Sequence, residues 1–187
     1  MLTCVVSRYG GRPRPGKYLA GKELQESLSA EACTCISFSP FPTAPRDLNS
    51  ILSLVSSASG SVSLYLSRRP YPIKVFDGFT QAPVIRVLWS KTRPAVFVAL
   101  DAASKLHFFN LLKDDAAPVH VESAQDSKIV DVCMPDPSPT ARGVKATIAV
   151  GFITGHIQVH TLASMFAEPI KDEEASMRNL VESWLMP

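Results

Sequence analysis

Short segments rich in apolar and β-branched residues recur along this 187-residue chain, separated by glycine, proline and serine. The clearest group occupies 84–89, 95–100 and 105–110, with a proline-containing turn after the first segment and a short polar turn after the second. Such lengths and turn residues predict β-strands joined in hairpins. Similar segments flank this group, at 34–38, 51–55, 61–66 and 71–76 before it and at 118–121, 129–134, 146–150 and 156–162 after it. The pattern therefore predicts an all-β protein.

The predicted strands form a unit that occurs three times in degenerate form. Phe38, Trp89 and Met134 occupy equivalent positions in the three copies, at intervals of 51 and 45 residues. The equivalent hairpin turns are marked by Gly60, Ser104 and Gly155. A period in this range, built of short strands, is typical of β-propeller blades. Three copies and an N-terminal remnant predict a partial β-propeller of about three and a half blades, at ~40–45 residues a blade.

The repeats divide the chain into predicted segments. Residues 1–32 hold a partial blade remnant and a loop, three blades cover about 33–80, 81–125 and 126–168, and residues 169–187 hold a C-terminal amphipathic helix. The apolar face of this helix consists of Met177, Leu180, Val181, Trp184 and Leu185. Two interpretations of the face stay open: it caps the propeller, as single apolar stripes usually pack within their own domain, or its Trp184 docks a partner.

Composition places the chain among packed globular proteins. Hydrophobic residues make up 46% and charged residues 19%, and the 15 prolines agree with many turns. A net charge of +2 gives no indication of a nucleic-acid partner. No apolar run approaches the roughly 18–20 residues that span a bilayer, and the apolar stretch after Met1 is too short for a secretory signal. We therefore expect a soluble intracellular protein without membrane insertion.

Candidate metal ligands are few. The four cysteines, at positions 4, 33, 35 and 133, fit reduced thiols better than a disulfide framework. Cys33 and Cys35 form a single C-x-C pair, whereas zinc takes about four ligands. His156 and His160 share a face of one predicted strand but lack a third ligand. We expect no metal site and no cofactor.

Catalytic residues are not predicted either. No nucleophile elbow, zinc-protease motif, phosphate loop or dinucleotide fingerprint is present in the sequence. Asp101 and Asp131 offer a carboxylate pair, but Asp101 lies in a turn, where an aspartate commonly bonds the local backbone. A small β-rich hydrolase stays open as an interpretation from another class, and it would need a nucleophile and a base that the sequence does not reveal.

Stacked blades need large side chains that face the neighbouring blade, and buried aromatic residues supply that area. The predicted structural core consists of Phe38, Trp89, Phe97, Leu106, Phe108, Phe109, Ile157 and Val159. Contacts with a protein partner are predicted at Arg68, Arg69, Arg86 and Trp184. The three arginines are predicted to lie at the surface, whereas Trp184 would act from the apolar face of the C-terminal helix.

The second copy carries a resemblance to a known family. Residues 83–97, PVIRVLWSKTRPAVF, resemble the V-x-x-V-x-W-S-P-x-x-P-x-V-F blade opening of dynein intermediate chains. Residues 99–115, ALDAASKLHFFNLLKDD, resemble their D-x-x-S-x-(I/L)-x-x-W-D-L-L-x-x-D continuation, and Pro118-Val119 matches a P-V step that follows. The chain closely resembles the last blades of the WD-repeat intermediate chains of intraflagellar-transport (cytoplasmic type 2) dynein. It departs from their pattern at Lys91, where proline is usual, and at Phe109-Asn110, where the family has Trp-Asp.

This resemblance implies a non-catalytic WD-repeat subunit of a dynein motor complex. Such a subunit would bind the dynein heavy chain and other dynein subunits, with protein partners only, in retrograde intraflagellar transport and cilium assembly. The implied location is the cytoplasm, the cytoskeleton and the cilium or flagellum with its base. Two alternatives stay open, namely a generic WD-repeat scaffold for protein–protein interaction and an axonemal dynein intermediate chain.

Overall fold

The computed structural model of this protein describes residues 32–42, 51–124, 127–136 and 146–186. Apart from residue 32, the predicted blade remnant at 1–32 lies outside the described residues. The described residues form eleven strands in three antiparallel sheets, followed by two helices. The prediction of an all-β protein is therefore confirmed.

Each sheet lies within one of the three sequence copies, with its strands in chain order. The first sheet contains β1 (Cys33–Phe38), β2 (Leu52–Ser57), β3 (Val62–Leu66) and β4 (Lys74–Phe76). The middle sheet contains β5 (Val84–Trp89), β6 (Val96–Asp101), β7 (Lys105–Asn110) and β8 (His120–Ser123). The third sheet contains β9 (Ile129–Cys133), β10 (Thr147–Phe152) and β11 (Ile157–Thr161). Within the described part of the chain, no sheet closes on itself.

The same hairpin turn recurs in all three sheets. Gly60, Ser104 and Gly155 adopt the left-handed backbone conformation, with φ of +94°, +63° and +82°. Each donates its backbone N–H to the carbonyl oxygen three residues earlier, at N···O distances of 3.3, 3.1 and 2.9 Å. These three residues also fall in step along the sequence. The sequence repeat is therefore a repeat of turn geometry as well as of strands.

The middle sheet is covered on both faces. Phe97 and Phe109 pack toward the first sheet, and they alternate along β6 and β7 with Val98 and Phe108, which pack toward the third sheet. All six residues of β6 are buried. This double burial explains the continuous apolar run at 95–100, because a strand with one covered face alternates apolar and polar residues. The first strands of the sheets are neighbours, since β5 contacts β1 and β2 on one side and β9 on the other.

Aromatic rings fill the space between the first and middle sheets. The rings of Phe97 and Phe109 are stacked with their centroids 4.4 Å apart, and Phe76 of β4 lies 5.3 and 5.5 Å from them. Trp89 is buried beside Phe97, and its Nε1 donates to the Pro94 carbonyl oxygen at 2.9 Å. Such ring pairs contribute about 0.5–1.5 kcal/mol each beyond the burial of area. The cluster therefore holds the first two sheets together.

Two helices, α1 (Ser164–Ala167) and α2 (Glu173–Leu185), pack on the sheets. Met177 and Val181 of α2 are fully buried in the core between the first and middle sheets, and Trp184 packs at its margin. Phe166 of α1 joins the core between the middle and third sheets, with its ring centroid 5.0 Å from that of Phe108. The apolar stripe of α2 is thus covered by its own chain, as the capping interpretation expects.

The eight residues of the predicted core divide into two groups. The buried group consists of Trp89, Phe97, Leu106, Phe108 and Phe109. The exposed group consists of Phe38, Ile157 and Val159, whose exposed fractions are 63%, 68% and 69%. The structure corrects the core prediction at these three positions because they lie on the outward faces of the first and third sheets. Alternation assigns a side chain to a face, but only a neighbouring sheet buries that face.

Candidate interaction site

Asp101 organises the turn between β6 and β7. Its Oδ1 accepts hydrogen bonds from the backbone N–H groups of Ala103 and Lys105, both at 2.9 Å, and its Oδ2 accepts one from Thr80 Oγ1 at 2.7 Å. Nε2 of His107 lies 2.9 Å from the same Oδ2. Burial by itself would raise the pKa of Asp101, but these hydrogen bonds, with His107 foremost, outweigh burial and lower it. Asp101 therefore has the structural role that its turn position indicates.

Arg86 and Asp131 link the middle and third sheets. Nε and Nη2 of Arg86 donate to the two carboxylate oxygens of Asp131, each at 2.6 Å. The hydrogen bond from Arg86 is the main reason that the pKa of Asp131 lies below its ordinary value. Arg86 thus has a partner within the chain, and its contact with another protein stays a prediction. Asp101 and Asp131, the two carboxylates considered from the sequence, have separate partners: Thr80 and His107 for Asp101, and Arg86 for Asp131.

Arg68 and Arg69 lie exposed in the turn between β3 and β4. The backbone N–H of Arg69 donates to the Leu66 carbonyl oxygen at 2.9 Å and closes this turn. Among the described residues, neither guanidinium takes part in an ion pair. The turn therefore presents two adjacent cations to solvent at the outer side of the first sheet.

Trp184 belongs to a small cluster with Lys74 and Asp115. Its Nε1 donates to Asp115 Oδ2 at 3.1 Å, and Nζ of Lys74 lies 3.2 Å from the same oxygen and 5.5 Å from the centroid of the indole ring. The hydrogen bond from Lys74 is the main cause of the lowered pKa of Asp115. The cluster joins α2 to β4 and to the loop after β7. Trp184 thus contributes to packing within the chain, and its contact with a partner stays a prediction.

A buried ion pair ties α2 to the turn between β5 and β6. Nη2 of Arg93 lies 2.7 Å from Oε1 of Glu173, and Nε of Arg93 lies 3.0 Å from both carboxylate oxygens. Nη1 of Arg93 donates to the carbonyl oxygen of Met165 in α1. The sequence analysis missed this pair because 80 positions separate the two residues. The one available signal was the acidic start of the predicted helix.

A groove of about 500 Å³ opens between the outer strands of the middle and third sheets. The apolar part of its lining includes Leu106, Phe108, Ile148, Val150 and Phe166. Its titratable lining residues are His120, Glu122, His156 and His160. His156 and His160 line the groove together, as their shared face on one strand predicts. Sequence reasoning missed the groove itself, since His120 and Glu122 come from a different sheet.

The cysteines do not assemble a metal site in the described structure. Cys33 is exposed, and Sγ of Cys35 lies 3.7 Å from the carbonyl oxygen of Val87, at the contact between β1 and β5. The described residues contain no group of three or more His, Cys, Asp or Glu side chains placed to hold a metal ion. Neither described helix has the length and apolar character needed to cross a bilayer.

The described part of the chain is an all-β protein of stacked antiparallel sheets that presents an exposed cationic turn and a groove between two sheets. No protein-family model matches the chain. It is similar to cytoplasmic dynein 2 intermediate chain 1 of Mus musculus, with 28% identity over 148 residues, or 79% of this chain. It is also similar to the Homo sapiens protein of that name, with 26% identity over 167 residues, or 89% of this chain. The resemblance drawn from the sequence is thereby confirmed. The chain spans only 14% and 15% of the length of these two relatives.

Proposed function

We propose that this chain forms part of a WD-repeat-type β-propeller in an intermediate chain of a dynein complex. The observation that carries the proposal is the similarity to cytoplasmic dynein 2 intermediate chain 1, which extends over 79% and 89% of this chain. The three stacked sheets, which follow the period expected of propeller blades, support it. The chain would act as a binding subunit that performs no chemistry, with blades at about 33–80, 81–125 and 126–168.

The outward faces of the first and third sheets support a propeller with further blades. Phe38 lies exposed on one of these faces, and Ile157 and Val159 lie exposed on the other. Propeller blades are covered by neighbours on both faces, as the middle sheet is here. The relatives are several times longer than this chain, which leaves room for the sheets that would cover both ends.

The proposed partner is a dynein heavy chain, together with other dynein subunits. A propeller recognises proteins through a rigid surface, and the exposed pair Arg68 and Arg69 offers charge for such a contact. We propose that this pair binds acidic side chains of the partner. The complex would act in retrograde intraflagellar transport and cilium assembly, in the cytoplasm, on the cytoskeleton and in the cilium with its base.

Affinity purification from ciliated cells tests the proposed complex. The full-length protein, tagged at its own locus, is expected to recover a dynein heavy chain detectable by mass spectrometry. Normal recovery of the tagged protein without any dynein heavy chain contradicts the proposal. Depletion is expected to stall retrograde transport and swell ciliary tips. Loss of ciliary beating alone would instead indicate an axonemal intermediate chain.

Charge reversal tests the cationic turn. The variant Arg68→Glu with Arg69→Glu is expected to reduce heavy-chain recovery about fivefold or more, since rim charges steer association. A matched control, Lys113→Glu with Lys171→Glu, makes the same change in net charge at two exposed lysines outside this turn. Equal recovery with both double variants contradicts the assignment of the contact to Arg68 and Arg69, and it leaves the dynein complex itself unaffected.

A further inference from the structure

We propose that two charge pairs select which sheet can stack on the middle sheet. The cations of Arg86 and Lys91 admit a third sheet and disfavour a second middle sheet, and their partners Asp131 and Asp136 disfavour contact between two third sheets. Three observations support this proposal: a bulge repeated in the three sheets, the signs of the charges, and the aliphatic surface between the two sheets. The proposal does not depend on the dynein complex proposed above.

The first strand of each sheet carries a β-bulge at the same position of the repeat. One residue in each of these strands is skipped in the pairing with the second strand, namely Thr34 in β1, Ile85 in β5 and Val130 in β9. The three residues follow one another at the intervals of 51 and 45 that relate the sequence copies. A bulge bends its strand and re-aims the side chains beside it. Each sheet therefore presents the residue after its bulge in the same way, and these residues are Cys35, Arg86 and Asp131.

Two charge pairs join equivalent positions of the middle and third sheets. Nε and Nη2 of Arg86 donate to the two carboxylate oxygens of Asp131, each at 2.6 Å. Nζ of Lys91, in the turn after β5, lies 3.1 Å from Oδ1 of Asp136, which follows β9. Each aspartate comes 45 positions after its partner, which is the interval between the second and third copies. Both cations thus belong to the middle copy and both anions to the third, so the two sides cannot be exchanged.

The first sheet carries no charge at the two equivalent positions, which are Cys35 and Pro40. Cys35 nevertheless meets the guanidinium of the middle sheet, since hydrogen bonding to Asp131, foremost, and to Cys35 raises the pKa of Arg86. The row of equivalent residues therefore runs from a thiol through a cation to an anion. Complementary charge selects the neighbour on only one face of the middle sheet, the face that meets the third sheet.

The surface that joins the middle and third sheets is largely aliphatic. Its buried residues include Val96, Val98 and Leu100 of β6, Val132 of β9 and Val150 of β10. The surface between the first and middle sheets contains instead the cluster of aromatic rings described above, whose packing has a specific geometry. Contact between aliphatic surfaces is non-directional, so by itself it does not distinguish one β-sheet from another. Charges of fixed sign supply this distinction, because like charges brought together disfavour the wrong neighbour.

Selection by charge matters most while the chain folds, because the apolar faces of repeated units are then exposed and can assemble wrongly. Two middle sheets from different copies would bring Arg86 and Lys91 of one copy against the same residues of the other. Two third sheets would bring four carboxylates together. All four side chains are more than a third exposed in the folded chain, so water screens their attraction. The pairs therefore act on the choice of neighbour more than on the stability of the folded chain.

Charge reversal in one sheet at a time tests the proposal. The acidic variant of the full chain carries Arg86→Glu with Lys91→Glu, and the basic variant carries Asp131→Lys with Asp136→Lys. Refolded alone at low salt, each is expected to give about fivefold less monomer than the original chain in sedimentation velocity, since like charges then face each other. In 1 M salt the screening length falls to about 3 Å, so the monomer yield should recover. An unchanged yield from either variant overturns the proposal, and so does a loss that salt does not reverse.

Refolding of the acidic and basic variants together tests whether the sign of the charge selects the neighbour. The middle sheet of the acidic variant complements the third sheet of the basic variant, and the two unchanged sheets complement each other. We expect a heterodimer that exchanges third sheets, in at least about fivefold excess over either homodimer. Native mass spectrometry measures this excess when one variant is labelled with heavy isotopes. A mixture without excess heterodimer overturns the proposal.

Two control variants distinguish the sign of the charge from the loss of particular side chains. A chain that carries all four reversals is complementary again, and its monomer yield is expected to lie within about twofold of the original. The neutral variant, Asp131→Asn with Asp136→Asn, removes attraction without adding repulsion and is also expected to stay within about twofold. A low yield from the chain with four reversals overturns the proposal. A neutral variant that loses as much monomer as the basic variant overturns it as well, because repulsion would then have no part in the loss.

Discussion

Arg93 and Glu173 lie 80 positions apart in the sequence, yet their side chains form a hydrogen-bonded ion pair that is only 1% and 2% exposed. The pair joins the turn between β5 and β6 to the first turn of α2. Burial of an ion pair costs desolvation of both groups, which several hydrogen bonds must offset. Here Glu173 accepts hydrogen bonds from Nε and Nη2 of Arg93, and Nη1 of Arg93 donates a hydrogen bond to the backbone carbonyl oxygen of Met165. The pair thereby fixes where α2 begins on the sheets.

Removal of one member of this pair is expected to destabilise the chain strongly. Glu173→Gln leaves the Arg93 guanidinium buried without a counter-charge, and we expect a loss of about 3–5 kcal/mol in the free energy of unfolding. Urea denaturation followed by circular dichroism measures this loss. The control Glu174→Gln changes an exposed neighbour on the same turn and should cost less than about 0.5 kcal/mol. Similar losses of unfolding free energy in both variants would mean that negative charge at the start of α2 stabilises the chain, rather than the pair of Arg93 with Glu173.

The acid stability of the chain is expected to depend on Asp101. Its pKa in the folded chain lies below the ordinary value of 3.8, so the carboxylate contributes stability that is fully present above that value. This stability is lost as the pH falls from about 4 toward the folded pKa. Asp101→Asn is expected to destabilise the chain at pH 7 and to flatten the loss of stability below pH 4. Unfolding free energies measured from pH 7 to pH 2 test this expectation.

Two control variants show whether the loss of stability in acid depends on Asp101 in particular. Asp115 and Asp131 also have lowered pKa values, owing first to Lys74 and to Arg86, so they contribute stability over the same range of pH. Both are partly exposed, so solvent screens their contributions. Asp115→Asn and Asp131→Asn should therefore change the loss of stability below pH 4 less than Asp101→Asn does. If Asp101→Asn leaves the loss of stability below pH 4 unchanged, the structural role of this carboxylate is contradicted.

Two of the three equivalent hairpin turns hold glycine, and these two are expected to tolerate alanine unequally. A Cβ on Gly60 would lie 3.0 Å from the Ala82 carbonyl oxygen and 3.1 Å from that of Thr80, in a left-handed conformation. A Cβ on Gly155 would meet nothing within 4 Å, so only the left-handed conformation opposes alanine there. We expect Gly155→Ala to cost about 1 kcal/mol and Gly60→Ala to cost about 2–3 kcal/mol. Chemical denaturation of both variants measures the difference, and equal costs would mean that the loop at 80–82 moves aside.

The surface pair between Arg86 and Asp131 is expected to contribute little to stability. Both side chains are more than a third exposed, so water and salt screen their attraction. A double-mutant cycle with Arg86→Met and Asp131→Asn should give a coupling energy below about 1 kcal/mol, and the coupling should fall further in 1 M salt. A coupling above 2 kcal/mol that resists salt would indicate that this bridge, rather than apolar packing, holds the third sheet on the middle sheet.

Much of the fold could be predicted from local sequence. The bounds of β5 and β7 agree with the predicted segments 84–89 and 105–110, and the remaining strands differ from their predicted segments by a few residues at their ends. The strand at 71–76 begins only at Lys74, after Pro72, because proline has no N–H to donate to a ladder. The predicted helix is found at Glu173–Leu185, since its acidic start and its apolar spacing are both local signals.

The candidate site could be predicted only in part. The shared face of His156 and His160 follows from alternation within one strand, and Asp101 follows from its place in a turn. The groove also requires His120 and Glu122, which belong to another sheet. No local feature of either sequence segment indicates that the middle and third sheets face each other.

The sequence by itself determined where the strands and turns lie, because backbone conformation and side-chain alternation depend on near neighbours. The tertiary structure decided which faces are buried. Phe97 and Ile157 both lie in strands with apolar residues, yet Phe97 is fully buried and Ile157 is 68% exposed. The difference arises because the middle sheet has a described sheet on either face, whereas the face of the third sheet that carries Ile157 has no described sheet against it. Burial depends on which surfaces meet across the chain, and the pairing of Arg93 with Glu173 was decided in the same way.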